Sequence, residues 1–309
     1  MHYPVLCAEV IEYLAIRPEG IYLDATAGLG GHTRAIAQRL TTGFVIANDR
    51  DTESLEFARA NTLEFANRIR FHQGTFSDLQ DAVREQGIER VNGLVADLGV
   101  SRYQLTESHR GFSILTDGPL DMRMDQGQRM TAGDLVNSAA EKAIADWIYQ
   151  LGEERRARRI ARAIVRARPI RSTLHLAGVV ERAAPRTGHL HPATRTFMAL
   201  RMVVNDEQGE LDRLLELAPG LVAAGGRVVV ISFMSLEDRK VKEKFRNWGR
   251  EGRAEVLTKR PLAPSQKETQ ENPASRSAKL RAVEMRLRGK ARSHGNTGDT
   301  FQERRVGGL

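Results

Sequence analysis

The sequence predicts an α/β fold, in which a Rossmann-like parallel sheet wound with helices is interrupted by an inserted helical domain. Short apolar runs alternate with amphipathic stretches of helix length up to Asp97, a pattern typical of a parallel sheet covered by helices. After Asp97 the alternation stops, and the next convincing buried strand begins at Arg227, about 130 residues later. One crossover helix needs only a few tens of residues, so an insertion is expected between these strands.

The predicted strands are short apolar runs that are followed by helical stretches. They comprise residues 21–25, 44–47, 69–72 and 93–96 before the insertion, and 227–233, 253–258 and 280–286 after it. The first helices are expected to begin near Gly31, Thr52 and Ser77. We expect residues 1–104 and 205–287 to form one discontinuous domain, residues 105–204 to form an RNA-recognition insert, and residues 288–309 to be a flexible tail.

The insert is predicted to be helical and carries dense positive charge. Ile144, Trp147, Ile148 and Leu151 recur at helical spacing, and residues 152–171 contain eight arginines and two glutamates. One interpretation is a solvated helix face, with Ile160, Ile164 and Val165 packed inward. The other is a phosphate-binding surface, whose affinity would depend steeply on salt. The sequence leaves both open.

Composition limits the classes of function. The 309 residues include 47 lysines and arginines and 39 acids, a net charge of +8 that favours polyanionic partners. The single cysteine, Cys7, excludes an intramolecular disulfide, a tetrathiolate metal site and a CxxC redox pair. Glu9 and Glu12 interrupt any signal-peptide core, and the longest apolar run, 228–234, is too short for a bilayer. These features predict a soluble, cytoplasmic protein without membrane contact.

Residues 24–32 (DATAGLGGH) lie directly between the first predicted strand and the first predicted helix. Glycines there let the backbone approach a ligand, although such a turn can also be purely structural. Thr33 stands where a dinucleotide fingerprint needs glycine or alanine, which disfavours a nicotinamide oxidoreductase. The pattern suits S-adenosylmethionine better, because it combines an acid on the first strand with a GxG turn and a further acid after the second strand. Asp49 and Asp51 are both candidates for that further acid.

The fourth strand ends in Asp97, at the sheet edge where open α/β folds place reacting groups. Amino methyltransferases that act on bases often carry Asp, Asn or Ser here with a proline and an aromatic residue, which orient the exocyclic amine. The proline and the aromatic are missing after Asp97. Asp97 is therefore a candidate catalytic residue, with a turn or a contact to the cofactor alone as the alternative.

Several strings, taken together and in order, closely resemble the ribosomal RNA small subunit methyltransferase H family, also called the MraW family. They span nearly the whole chain. The strings are PVL (4–6), GLGGH (28–32), NDRD (48–51), DLGVS (97–101), RGFS (110–113), DGPLDMRMD (117–125), GEER (152–155), HPATRTF (191–197), VNDE (204–207), ISFMSLEDR (231–239) and ENPASRSAKLR (271–281).

The resemblance implies a class I S-adenosylmethionine-dependent enzyme that methylates N4 of a cytidine in the decoding centre of bacterial 16S rRNA. The small ribosomal subunit is the implied partner, and the oligomeric state stays open, with a homodimer as one option. Asp97 is the expected catalytic residue. The family's cofactor contacts carry over to Gly30, Gly31, His32, Asp49, Phe76, Asp97 and Gln104.

No catalytic metal is expected, because His189 and His191 lie in a loop-like stretch that favours a turn or recognition. N4 transfer also needs no cysteine nucleophile. Tyr103 or Phe112 is a candidate for stacking on the target base, a core or lid position being the alternative for Phe112.

Three departures from the family pattern bear on function. Ala25 replaces a glycine, Arg102 and Tyr103 replace a Ser-Pro pair, and Met234 replaces a histidine. The first is mild, whereas the second lies beside the expected target pocket. The third removes a titratable side chain, which matters if the family histidine handles a proton. Two alternatives stay open: an amino methyltransferase of DNA or another RNA, and a non-catalytic ribosome-assembly or RNA-binding protein.

Overall fold

The computed structural model describes residues 4–185 and 190–286. The predicted tail (288–309) lies outside the described residues, as do Leu287 and His189. No helix in the two described stretches combines the length and apolar composition that a membrane crossing requires.

Seven strands form one sheet in the described part of the chain, with the order β3-β2-β1-β4-β5-β7-β6. The first five strands pair in parallel, and β7 runs antiparallel to β5 and β6. This confirms the predicted Rossmann-like α/β sheet. The strands are β1 (Ile21–Asp24), β2 (Phe44–Asp49), β3 (Ile69–Gln73), β4 (Val91–Asp97), β5 (Val222–Ser232), β6 (Ala254–Val256) and β7 (Lys279–Met285).

The described helices follow the predicted alternation and then fill the insertion. The first group is α1 (Cys7–Leu14), α2 (Gly31–Ala37), α3 (Thr52–Asn61) and α4 (Leu79–Arg84). Between β4 and β5 come α5 (Arg102–Thr106), α6 (Ala132–Ser138), α7 (Glu141–Gln150), α8 (Ala157–Arg166), α9 (Thr173–Ala183), α10 (Thr194–Val204) and α11 (Glu207–Leu221). Then follow α12 (Ser235–Arg250) and α13 (Gln266–Glu271), with 3₁₀ turns at Leu63–Arg68, Phe76–Asp78, Ser108–Arg110 and Pro273–Ser277.

The clearest differences from the predicted boundaries concern β5, the third helix and β6. β5 begins at Val222 rather than Arg227, because Val222 pairs with Val91 before a register shift and a left-handed Gly225 interrupt the ladder. The third helix, expected near Ser77, begins as the Phe76–Asp78 turn and continues as α4. β6 is also shorter than expected, at three residues.

The sheet is covered on both faces, since alternate strand residues enter two different apolar clusters. Leu23, Ile46 and Leu94 belong to one, and Tyr22 and Val95 to the other. This period of two is the geometry of a strand buried on both sides. It accounts for the continuous apolar runs in the sequence.

The insertion builds a separate core, as the interrupted rhythm predicts. A third cluster of buried residues extends from Phe112 to Leu200, and the buried faces of α7 and α8 supply Ile144, Ile148, Ile160 and Ile164. On α8 the isoleucines are fully buried, and Val165 is only partly so. The arginines cover the outer side, where Arg155, Arg158, Arg159, Arg162 and Arg166 are all exposed.

Candidate active site

A cavity of about 670 Å³ opens at the carboxyl edge of the sheet. From β1 the chain adds β2 and β3 on one side of the sheet and then β4 and β5 on the other. The ends of β1 and β4 therefore form a topological switch point, where open α/β sheets bind ligands. The cavity is lined by six of the seven residues expected to contact the cofactor, namely Gly31, His32, Asp49, Phe76, Asp97 and Gln104.

The seventh residue, Gly30, lies in the same turn but is not among the lining residues. Its φ is 88°, in the left-handed region, and a Cβ there would come within 3.2 Å of the Ala58 Cα on α3. Gly30 therefore allows close packing of the turn against α3. Gly28 (φ 50°) does line the cavity, and a Cβ on it would meet only the Thr26 carbonyl, at 3.9 Å.

The two acids after β2 have different positions. Asp49 lines the cavity, where its Oδ2 accepts from the Gly28 N–H (2.7 Å) and its Oδ1 from the Asp51 N–H (2.9 Å). Burial raises the pKa of Asp49 to about 6, against the lowering effect of these two amides. Asp51 is buried behind it as the N-cap of α3 and pairs with Arg110 at 2.9 Å. Of the two candidates, only Asp49 lines the cavity.

Gln104 and Phe76 complete the side of the cavity near Asp49. The Gln104 Nε2 donates to Asp51 Oδ2 (2.6 Å), and its Oε1 accepts from the Ser101 N–H (2.9 Å). Its amide is thus fixed by the protein while the residue lines the cavity. Phe76 begins the turn after β3 and is half-buried against the sheet core, which leaves part of its ring at the cavity.

The buried His32 and the partly exposed Asp97 form an ion pair in the cavity wall. His32 Nε2 lies 3.6 Å from Asp97 Oδ2, and His32 is only 4% exposed. Burial lowers the pKa of His32, but Asp97, the Cys7 thiol and the nearby charge of Asp24 outweigh it and raise that pKa to about 10. Both ring nitrogens of His32 are buried and make no hydrogen bond to a described residue, so the contact with Asp97 is electrostatic. Asp97 Oδ1 is buried and has no hydrogen-bond partner among the described residues.

The opposite wall contains residues that were not predicted as catalytic or cofactor-binding positions. Arg201 and Glu207 form a bidentate pair at 2.7 and 2.8 Å, and both line the cavity with the buried Glu237. Burial raises the pKa of Glu237, and the charge of Glu207 adds to this. Phe233, Met234, Asn272 and Pro273 also line this wall. Apart from Arg201, which lies in none of the family-like strings, these residues had a sequence signal in their position within VNDE, ISFMSLEDR and ENPASR.

The two aromatic candidates for base stacking lie elsewhere. Phe112 is buried in the core of the insertion, which confirms the core interpretation. The Tyr103 ring packs against Phe57 with centroids 4.7 Å apart, and Tyr103 is not a lining residue, whereas its neighbour Arg102 is. His191 accepts the Ala193 N–H at 3.2 Å, a local turn contact. Residues 4–185 and 190–286 contain no group of three or more side chains able to hold a metal ion.

Comparison with known proteins covers nearly the full chain. Residues 1–286 match the model of the MraW methylase family. The chain is 71% identical over 286 residues to a ribosomal RNA small subunit methyltransferase H from Solibacter usitatus, covering 93% of this chain and 100% of the relative. Relatives with the same name are 50% identical in Acidobacterium capsulatum and 48% identical in Geobacter sulfurreducens, each covering 92% of this chain and 98% of the relative.

Proposed function

This chain belongs to the MraW methylase family, and from that premise we propose that it uses S-adenosylmethionine to methylate N4 of a cytidine in the decoding centre of bacterial 16S rRNA. The main supporting observation is the cavity at the switch point, in which six of the seven expected cofactor residues meet. The single cysteine and the expected substrate both favour a cytoplasmic location.

The lining residues fit S-adenosylmethionine. Asp49 uses one lone pair of each oxygen on an amide, so both oxygens keep capacity for the two ribose hydroxyls. Phe76 offers an aromatic face for adenine, and the open space beside Gly28 lets the ligand approach the backbone. The carboxylate of Asp97 suits the positive charge of the cofactor's methionyl part.

When bound, S-adenosylmethionine would supply a methyl group carried on a sulfonium sulfur. The cytosine amine nitrogen would take this methyl group, displacing the sulfur, and would then lose a proton. Asp97 is our candidate for holding that amine. Its Oδ2 lies 3.6 Å from His32 Nε2, while its Oδ1 is buried and has no hydrogen-bond partner in the described chain. The Asp97 side chain is 24% exposed and lines the cavity, so its carboxylate can accept one N–H of the amine and direct the nitrogen lone pair towards the methyl group.

The inserted domain is our candidate for RNA recognition. The outer face of α8 carries exposed arginines, whereas its inner face is anchored by Ile160 and Ile164. Guanidinium groups bind phosphate well, and a rigid helix keeps their spacing fixed. This face would dock the subunit so that the target base reaches the cavity after leaving its stack.

The proposal is tested by transfer of labelled methyl groups to undermethylated small subunits, naked rRNA and DNA, followed by nucleoside mass spectrometry. We expect N4-methylcytidine on the small subunit or its rRNA. Label on DNA alone would favour the alternative amino methyltransferase. Cofactor binding without transfer to any substrate would favour a non-catalytic assembly protein.

A further inference from the structure

The exocyclic amine of cytosine has two N–H groups, and Asp97 accounts for only one of them. A second acceptor would complete the orientation of the nitrogen lone pair, yet the residues after Asp97 include no asparagine, proline or aromatic side chain up to Arg102. We propose that Asn272 is this second acceptor, and that Pro273 and Phe233 complete the pocket for the base. This inference rests on the proposed function and deepens it.

Asn272 presents an unused amide to the cavity. Its backbone N–H donates to the Glu268 carbonyl (2.7 Å), and its backbone oxygen accepts from the N–H (3.0 Å) and the hydroxyl (2.8 Å) of Ser275. The main chain is thus fully engaged. The side-chain amide makes no hydrogen bond to any other described residue, and Asn272 lines the cavity. A ligand that enters the cavity can use it.

The segment that carries Asn272 is held in place. Pro273 keeps the preceding residue out of the helical region, so that α13 ends and Asn272 takes φ −131° and ψ 83°. Ser275, which bonds Asn272, is fully buried. The Glu268 side chain accepts the Leu6 N–H at 2.7 Å, which ties α13 to the N-terminal segment. The position of Asn272 is therefore set before any ligand binds.

The sheet brings this segment to the same edge as the end of β4, with β5 between β4 and β7. Lys279 at the start of β7 pairs with Ser232 at the end of β5, so the residues just before β7 enter at the carboxyl edge. Asp97 pairs with Ile231 at the same edge. Phe233 follows β5, and a Cβ built on Gly99 would lie 3.8 Å from its ring. An amide, a proline and an aromatic ring thus surround the cavity, although they come from two segments distant from β4 in the sequence.

A neutral amide is suited to this position. Asp97 already places one negative charge in the wall, and the His32 imidazolium balances it. The Asn272 oxygen adds an acceptor without a second charge that would need desolvation. We expect its loss to slow transfer through misorientation of the amine, while leaving subunit docking and cofactor binding to other residues.

The test uses the full-length enzyme and undermethylated small subunits. We expect Asn272→Ala to lower kcat by about 10- to 100-fold, with KM for subunits, the dissociation constant of S-adenosylmethionine and Tm nearly unchanged. Asn272→Gln keeps a neutral amide oxygen on a side chain longer by one methylene and should recover part of the lost kcat. Asn247→Ala is the matched control, because Asn247 is exposed on α12.

The outcomes separate the two levels of the argument. Wild-type kcat in Asn272→Ala would overturn this inference alone. So would a loss of cofactor affinity together with a fall in Tm large enough to explain the whole loss of rate. Equal damage in Asn272→Gln and Asn272→Ala would also overturn it. Absence of N4-methylcytidine with the wild-type enzyme would instead overturn the proposed function, and this inference with it.

Discussion

Removal of the Asp97 charge should change the protonation of His32. In the native protein the pKa of His32 is raised from 6.5 to about 10. At about 1.4 kcal/mol per pKa unit, this corresponds to about 5 kcal/mol in favour of the imidazolium, to which Asp97 contributes most. In Asp97→Asn, burial of His32 still disfavours the charged imidazolium, and only Asp24 and Cys7 remain to favour it. We therefore expect the pKa of His32 to fall below 7.

The assay is a ¹⁵N-histidine NMR titration of both proteins, with the His32 signal assigned through His32→Gln and exposed His109 as an internal reference. The raised pKa means that the pair stabilises the wild type fully below pH 6.5 and that this contribution is lost as pH rises through about 10. Asp97→Asn should lack this alkaline loss of stability. Its kcat should fall by about 100-fold or more if the carboxylate holds the amine. A protonated His32 above pH 8 in the variant would refute the electrostatic argument, and full kcat with normal cofactor affinity would refute the role of Asp97.

Three further predictions concern different parts of the molecule. The double variant Arg158→Ala/Arg159→Ala should weaken RNA binding in a filter-binding titration and reduce the slope of log affinity against log salt by about 1 to 2. An unchanged slope would mean that the arginines of α8 form only a solvated face. Arg110→Met should lower the free energy of unfolding in urea by about 3–5 kcal/mol, because it leaves the buried Asp51 carboxylate unpaired. Gly28→Ala should weaken S-adenosylmethionine binding in calorimetry, since φ is 50° there and the added methyl group enters the cavity.

The part of the fold that the sequence predicts well is the part encoded locally. β1, β2 and β4 are apolar runs buried on both faces, and β3 lies partly exposed at the edge of the sheet. All four are visible in the sequence within a few residues of their true ends. The insertion is visible because the rhythm stops at Asp97. The start of β5 is not visible, because residues 222–226 contain two glycines and pair with β4 through a register shift.

The same distinction applies to the candidate site. Gly31, Asp49, Phe76 and Asp97 each follow a predicted strand in the parallel part of the sheet, and such ends share one edge, so local motifs are enough to bring them together. The opposite wall depends on long-range packing. Asn272 reaches it only because β7 inserts between β5 and β6, a pairing that no local pattern in the sequence indicates.

Met234 illustrates what this wall implies for proton handling. It lines the cavity, but its contact to Glu237 is made by its backbone N–H at 3.2 Å, which any side chain at this position preserves. The change from the family histidine therefore leaves the local backbone contact intact and removes one titratable group from the wall. Asp97 lines the cavity beside the proposed position of the amine. Under the role proposed for Asp97, its carboxylate takes the proton that the amine releases, so transfer does not require a titratable side chain at residue 234.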